Sequence, residues 1–242
     1  MIKTENDSKN KGGNLIWIIL IVTIINAFLV LYVLRISERE LYGDEVQYHQ
    51  LTLNLMDHSA FSLETNPPFD PTLNRTPGYP LIVAFLYLIS GKSILFAKIF
   101  QFLLSGINAY LLYQLAKIYV DEKTARISSY LFLIYFPFIF ISAFLFTETV
   151  SIFLILSLLL LIKKYGWQNN GQILLDLVIG IVMGVLVMVR PTMALIVIPL
   201  GLILWIPYFF KKSLLPFNKV LAKSFILACG LLLIFTPWII MS

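Results

Sequence analysis

The chain of 242 residues is 59% apolar and only 13% charged, where a soluble domain carries about 25% charged residues. Too few polar residues remain to cover a soluble globule. That excludes an ordinary cytosolic enzyme, a disordered chain and, despite the net charge of +5, a nucleic-acid binder, and leaves an integral membrane protein.

Residues 1–13 are polar and carry Lys3, Lys9 and Lys11; the apolar stretch Asn14–Leu34 follows. About 20 helical residues cover the hydrocarbon core of a bilayer, so this stretch spans one. It has no small-residue cleavage site and exceeds a signal-peptide core, which makes it an uncleaved first helix. Residues 35–76 form the longest polar stretch. Within it, Tyr48, Leu51, Leu55 and Met56 fall near one face of an amphipathic helix over 45–58, suited to lying on a membrane surface. Asn66-Pro67-Pro68 to Pro80 reads as a stiff, turn-rich loop.

Pro77–Ser90, about 14 residues, is short for a span and reads as interfacial or re-entrant. Ile94–Tyr119 is long enough to cross. Ile127–Ile162 is 36 residues interrupted by one charge, Glu148, and must double back as a hairpin with Glu148 at its turn. The second arm is then about 14 residues, short for a crossing. Ile173–Val189 and Thr192–Phe210 are two more spans separated by Arg190-Pro191, and Leu221–Met241 is the last. The expected fold is all-α: a polytopic membrane bundle of about seven transmembrane helices, with juxtamembrane or re-entrant helices in the first outer loop. Its domains are a polar cytoplasmic segment, 1–13, and a transmembrane domain, 14–242. The single cysteine, Cys229, makes no internal disulfide.

Basic residues accumulate on the cytoplasmic side. With the N-terminus inside, Lys117, Lys123, Arg126, Lys163, Lys164, Lys211, Lys212, Lys219 and Lys223 join the three N-terminal lysines there, 12 of the 18 basic residues. The loop 35–76 holds only Arg35, Arg39 and Arg75 against seven acids, and is placed outside. This threading puts Asp44, Glu45, Glu148 and Arg190 on the outer face of a plasma membrane.

Asp44 stands at the start of the amphipathic helix with Gln47 three residues on, a pattern that also fits a capping box. Glu148 is either a solvated hairpin tip or a functional acid, since an acid within an apolar run is costly. Arg190, stopped by Pro191, can snorkel to headgroups or bind a phosphate bidentately. His49 and His58 make no zinc pattern, and no residue is assigned to a metal. No glycine-rich nucleotide loop, nucleophile elbow or His-Glu-x-x-His occurs.

Taken in order, Asp44-Glu45 and Tyr48 in the outer loop, Arg75-Thr-Pro-Gly-Tyr-Pro80, Glu148 after a proline-containing helix, Val189-Arg-Pro191 and Pro237-Trp238 resemble the C-type membrane glycosyltransferases. The likeness is to the dolichyl-phosphate-mannose protein mannosyltransferase-like family, with its bacterial aminoarabinose and galacturonosyl transferase relatives. It covers roughly residues 14–240. It implies a sugar donor on a polyprenyl phosphate and an acceptor that is a protein, lipid or glycan. It implies a catalytic carboxylate in the acidic pair, Asp44 as base with Glu45 its neighbour, and Glu148 as the second acidic position. Arg190 is the candidate phosphate contact, and Tyr48, Arg75 and Tyr79 are donor- or acceptor-loop residues. No cofactor is implied with certainty; a divalent cation could share the role of Arg190. Family members continue past Pro-Trp with further helices, so the chain is expected to be an N-terminal part. The competing reading is a non-catalytic membrane protein, a transporter, flippase or accessory fragment. Transporters place ionisable groups near the midplane, often in inverted repeats, and no internal repeat is visible.

Overall fold

A computed structural model of the chain describes residues 2–33, 35, 40–165, 172–203, 205–210 and 215–241. Leu34, at the end of the expected first span, and Arg39, Lys211 and Lys212 of the orientation count lie outside the described residues. Within the described residues the structure is helical and contains no strand. In chain order the helices are α1 (Ile2–Phe28, continued by a π turn, Leu29–Val33), α2 (Asp44–His58), α3 (Gly78–Ser90) and α4 (Ile94–Ala116). There follow α5 (Glu122–Ile134), α6 (Phe136–Ile141), α7 (Glu148–Tyr165), α8 (Ile173–Val189), a 3₁₀ turn (Pro191–Met193), α9 (Ala194–Leu202), α10 (Ile206–Phe209) and α11 (Phe217–Met241).

Three described segments are long and apolar enough to cross a bilayer: Asn14–Val33, Ile94–Ala116 and Phe217–Thr236. The helices Gly78–Ser90 and Ile173–Val189 and the segment Pro191–Leu202 are apolar but shorter. The chain divides into two units, Met1–Val46 with Leu86–Leu156 and Gln47–Phe85 with Ser157–Ser242.

In the first unit, α4 starts at Ser93, whose hydroxyl accepts from the Phe96 amide. α5 starts at Asp121, whose carboxylate accepts from the Lys123 and Thr124 amides. Both are N-caps that satisfy otherwise orphaned donors. Leu15 and Ile19 of α1, Ala109 and Tyr113 of α4, and Ala125, Phe132 and Leu133 of α5 form a buried cluster. The long apolar run is broken as its length demands. Tyr135 is extended, Pro137 sits in the first turn of α6, and residues 142–147 turn before α7 begins at Glu148. The second arm, α7, is 18 residues rather than about 14, because Glu148 opens the helix and Lys163 and Lys164 continue it. An acid at the first turn and lysines at the last suit the helix dipole.

In the second unit, α8 and α11 pack at glycines. A methyl added at Gly180 would meet the Leu227 carbonyl, at Gly184 the side chain of Ile234 and the Leu231 carbonyl, and at Gly230 the Leu177 carbonyl and Ile181 amide. Gly180 and Gly184 are four apart, the spacing that lets helix backbones approach closely in lipid. The expected single span Thr192–Phe210 is instead divided: α9 ends at Leu202, with Pro199 inside it, and α10 starts at Ile206. Pro207, the second residue of α10, has no amide to donate to the turn before it, which stops a single helix from running through.

Candidate functional site

Glu45 is the most deeply engaged of the predicted residues. Its side chain is fully buried, with the Lys98 ammonium of α4 3.5 Å from Oε1. The same oxygen accepts the Leu145 amide at 3.0 Å, and Oε2 accepts the Tyr42 amide at 3.4 Å. One carboxylate thus ties the start of α2 to α4 and to the turn that precedes Glu148. The turn is held twice more by α4. Gln101 donates to the Phe144 carbonyl, and Asn108 donates to the Thr149 carbonyl at 2.9 Å. Lys98, Gln101 and Asn108 recur at spacings of three and seven, one face of a helix, and all three are buried.

Asp44, at the first position of α2, is exposed, and Glu148, at the first position of α7, is half-buried. Thr147 donates to Glu148 Oε2 at 3.5 Å. The capping-box pattern takes a different form, because the Gln47 side chain faces another partner: its Oε1 accepts from Arg75 Nε at 2.8 Å.

Arg75, Tyr48 and Tyr79 form a second cluster, within the other unit. The Arg75 guanidinium lies 5.2 Å from the Tyr48 ring centroid, and the Tyr48 and Tyr79 rings meet edge to face at 4.8 Å. Thr52 donates to the Tyr48 carbonyl at 2.7 Å and approaches the Pro80 carbonyl at 3.4 Å. Gly78 then brings this loop onto the end of α8, where a methyl on it would lie 2.5 Å from the Met188 carbonyl atoms. Two residues on, Arg190 is extended and ends the helix, and its Nε donates to Thr192 Oγ1 at 3.2 Å. Beside this junction is an apolar cavity of about 760 Å³, lined by Phe61, Leu73, Pro77, Gly78, Met188 and Trp238 among others. The Trp238 ring meets Phe61 edge to face at 4.9 Å.

The profile of the dolichyl-phosphate-mannose-protein mannosyltransferase family matches residues 74–241. The chain belongs to this family. It is a family of C-type membrane glycosyltransferases, in keeping with the apolar helices described above. The mannosyltransferase match includes Arg75, Tyr79, Lys98, Glu148 and Arg190, whereas Asp44, Glu45 and Tyr48 precede it. No curated protein and no solved structure matches the chain.

The predicted residues of this mannosyltransferase-family chain therefore fall into two groups. Glu45 is brought to the turn before Glu148, and Tyr48, Arg75 and Tyr79 are brought to one another and to the α8 end that Arg190 closes. The two groups belong to different units. Among the described residues no group of three or more His, Cys, Asp or Glu is placed to hold a metal, and the ammonium of Lys98 already faces Glu45. The His58 ring stacks on Phe69 at 4.3 Å, and burial holds the His49 imidazole below its ordinary pKa.

Sequence reasoning missed Lys98, Gln101 and Asn108, and also the ion pair of Asp176 with Lys223, 3.0 Å apart with both side chains 8% exposed. The readable signal was an ionisable residue inside an apolar helix, which is expensive and rarely idle. Lys98 and Asp176 both carry it.

Proposed function

We propose that this chain transfers a hexosyl or pentosyl group from a polyprenyl-phosphate carrier to a protein, lipid or glycan acceptor at the outer face of the plasma membrane. The N-terminus lies inside, and about seven helices cross. An acceptor hydroxyl oxygen bonds to the anomeric carbon as the bond from that carbon to the phosphate oxygen breaks. The hydroxyl proton passes to a carboxylate, and polyprenyl phosphate departs.

The carboxylate is assigned to Asp44, the exposed first residue of α2. Glu45 has the complementary task of fixing the α2 start against the turn that leads to Glu148. The observation that carries the reading is the Glu45–Leu145 bond, because it joins the acidic pair to the segment of the second acidic position. Arg190 is assigned to the phosphate, where a guanidinium gives charge-assisted, bidentate bonds that strengthen as charge develops. Tyr48, Arg75 and Tyr79 shape the loop beside it.

Transfer of labelled sugar from a polyprenyl-phosphate sugar in proteoliposomes tests this. Asp44→Asn is expected to lower transfer by about 10²–10⁴-fold, the range of a general base, with thermal stability unchanged. Undiminished transfer by Asp44→Asn would remove the base assignment, and no transfer by the wild-type chain to any acceptor class would remove the reaction.

A further inference from the structure

Asp176 and Lys223 form a buried ion pair that the proposed chemistry leaves unused. It joins the first turn of α8 to the second turn of α11. Beyond it, the two helices meet at Gly180, Gly184 and Gly230, where backbone lies against neighbouring backbone or side chains. Asp176, Gly180 and Gly184 recur every four residues, and Lys223 and Gly230 are seven apart, so the charges and the glycines share the packed faces. A glycine-lined face brings helices close but has few protruding side chains to set how far one is shifted along the other.

A buried ion pair contributes little net stability, because desolvation offsets the attraction; its best-attested use is to select a register. We infer that Asp176 and Lys223 are positioning residues that fix the axial register of α8 on α11. What that register sets lies at the far end of α8. There Gly78 is seated against Met188 and Val189, and Arg190 closes the helix. A shift of one turn would move that end by about 5.4 Å and unseat the Arg75–Pro80 loop. The consequence for catalysis rests on the reading of Arg190 and this loop as donor contacts; the register itself does not.

Disulfide trapping tests the register without recourse to activity. Val185→Cys on α8 is paired in turn with Cys229, with Leu233→Cys and with Thr236→Cys, the last two in a Cys229→Ser background. The full chain in bilayers is expected to trap predominantly with one of the three. In Asp176→Leu/Lys223→Leu, the melting temperature is expected to hold or rise while trapping spreads to positions a turn away. The swapped pair Asp176→Lys/Lys223→Asp is expected to restore the single partner. An unchanged trapping pattern in the leucine pair overturns the inference. Should the leucine pair fail to fold, the swap decides: a folded swap with scattered trapping overturns it as well. In the transfer assay the leucine pair is expected to lose at least tenfold in kcat while the swap recovers it. A wild-type chain that transfers no sugar counts against the proposed reaction only, and the trapping result still stands.

Discussion

In residues 86–156 one helix holds its surroundings with polar side chains: Lys98, Gln101 and Asn108 of α4 reach Glu45, Phe144 and Thr149, and Ser129 of α5 donates back to the Ala109 carbonyl at 2.8 Å. In residues 157–242 the α8 and α11 helices instead meet at Gly180, Gly184 and Gly230, with an ion pair between the first turn of α8 and the second turn of α11. Lipid gives helices no hydrophobic incentive to associate, so polar contacts and close backbone packing are the two means left. The α4 contacts use chiefly the first and the α8–α11 contact chiefly the second. Polar side chains can grip irregular backbone, and the turn at 142–147 is irregular. Glycines suit two regular helices side by side. Glu148 opens α7 directly after the irregular turn, and Arg190 ends α8.

The largest test of this contrast is Lys98→Met. It leaves the Glu45 carboxylate buried without its ammonium, and breaking a buried pair in this way costs about 3–5 kcal/mol. Equilibrium unfolding in mixed micelles would read it, and Glu45→Gln/Lys98→Met is expected to recover most of the loss. A single-variant cost below about 1 kcal/mol would mean that the turn is held chiefly by other groups.

The glycine side predicts a graded series. Gly180→Ala drives a methyl into the Leu227 carbonyl, and overpacking costs typically about 1–3 kcal/mol. Gly184→Ala should cost less, since its nearest contacts stand at 3.0 Å and include a movable isoleucine. Gly201→Ala meets nothing within 4 Å and should be neutral or stabilising, because alanine is the better helix residue. Equal costs at all three positions would show that backbone approach is not what holds α8 to α11. On the polar side the corresponding small step is Ser129→Ala. It removes one hydrogen bond but leaves the Ala109 carbonyl within its helix, so about 1 kcal/mol is expected.

How far the sequence reveals this arrangement depends on the range of the interactions. The α8 boundaries, Ile173–Val189, are those of the apolar run, and α2 begins one residue before its amphipathic pattern. Local punctuation set both. The Thr192–Phe210 run misleads, because mean apolarity does not register Pro207, which has no amide to donate to the turn before it. α11 begins at Phe217 rather than Leu221; its extra turn holds Lys219, and Lys223, expected at the cytoplasmic end, turns inward to Asp176. At the candidate site the burial of Glu45 was not legible, because it depends on Lys98 and on the Leu145 amide, the latter a hundred residues away. No periodicity encodes a pairing at that separation.

The smallest expected effect concerns Glu122, which draws on the polar means of the first unit but at its exposed edge. Its Oε1 accepts the Tyr113 hydroxyl at 2.6 Å and the Arg126 Nε at 2.9 Å, and Lys117 lies 3.0 Å from Oε2. The Tyr113 hydroxyl first, and then the two cations, hold the carboxyl down at about 2. A carboxylate depressed in the folded state stabilises above its unfolded value and loses that contribution as pH falls toward the folded value. The advantage of wild type over Glu122→Gln should thus be complete above about pH 4.5 and close between there and about pH 2. Because the side chain is 43% exposed, solvent screens the cluster, and exposed pairs contribute at most about 1 kcal/mol. Melting curves of both proteins from pH 3 to 7 would show the gap narrowing on the acid side. A gap that widened with acid would mean that Glu122 is protonated in the folded chain.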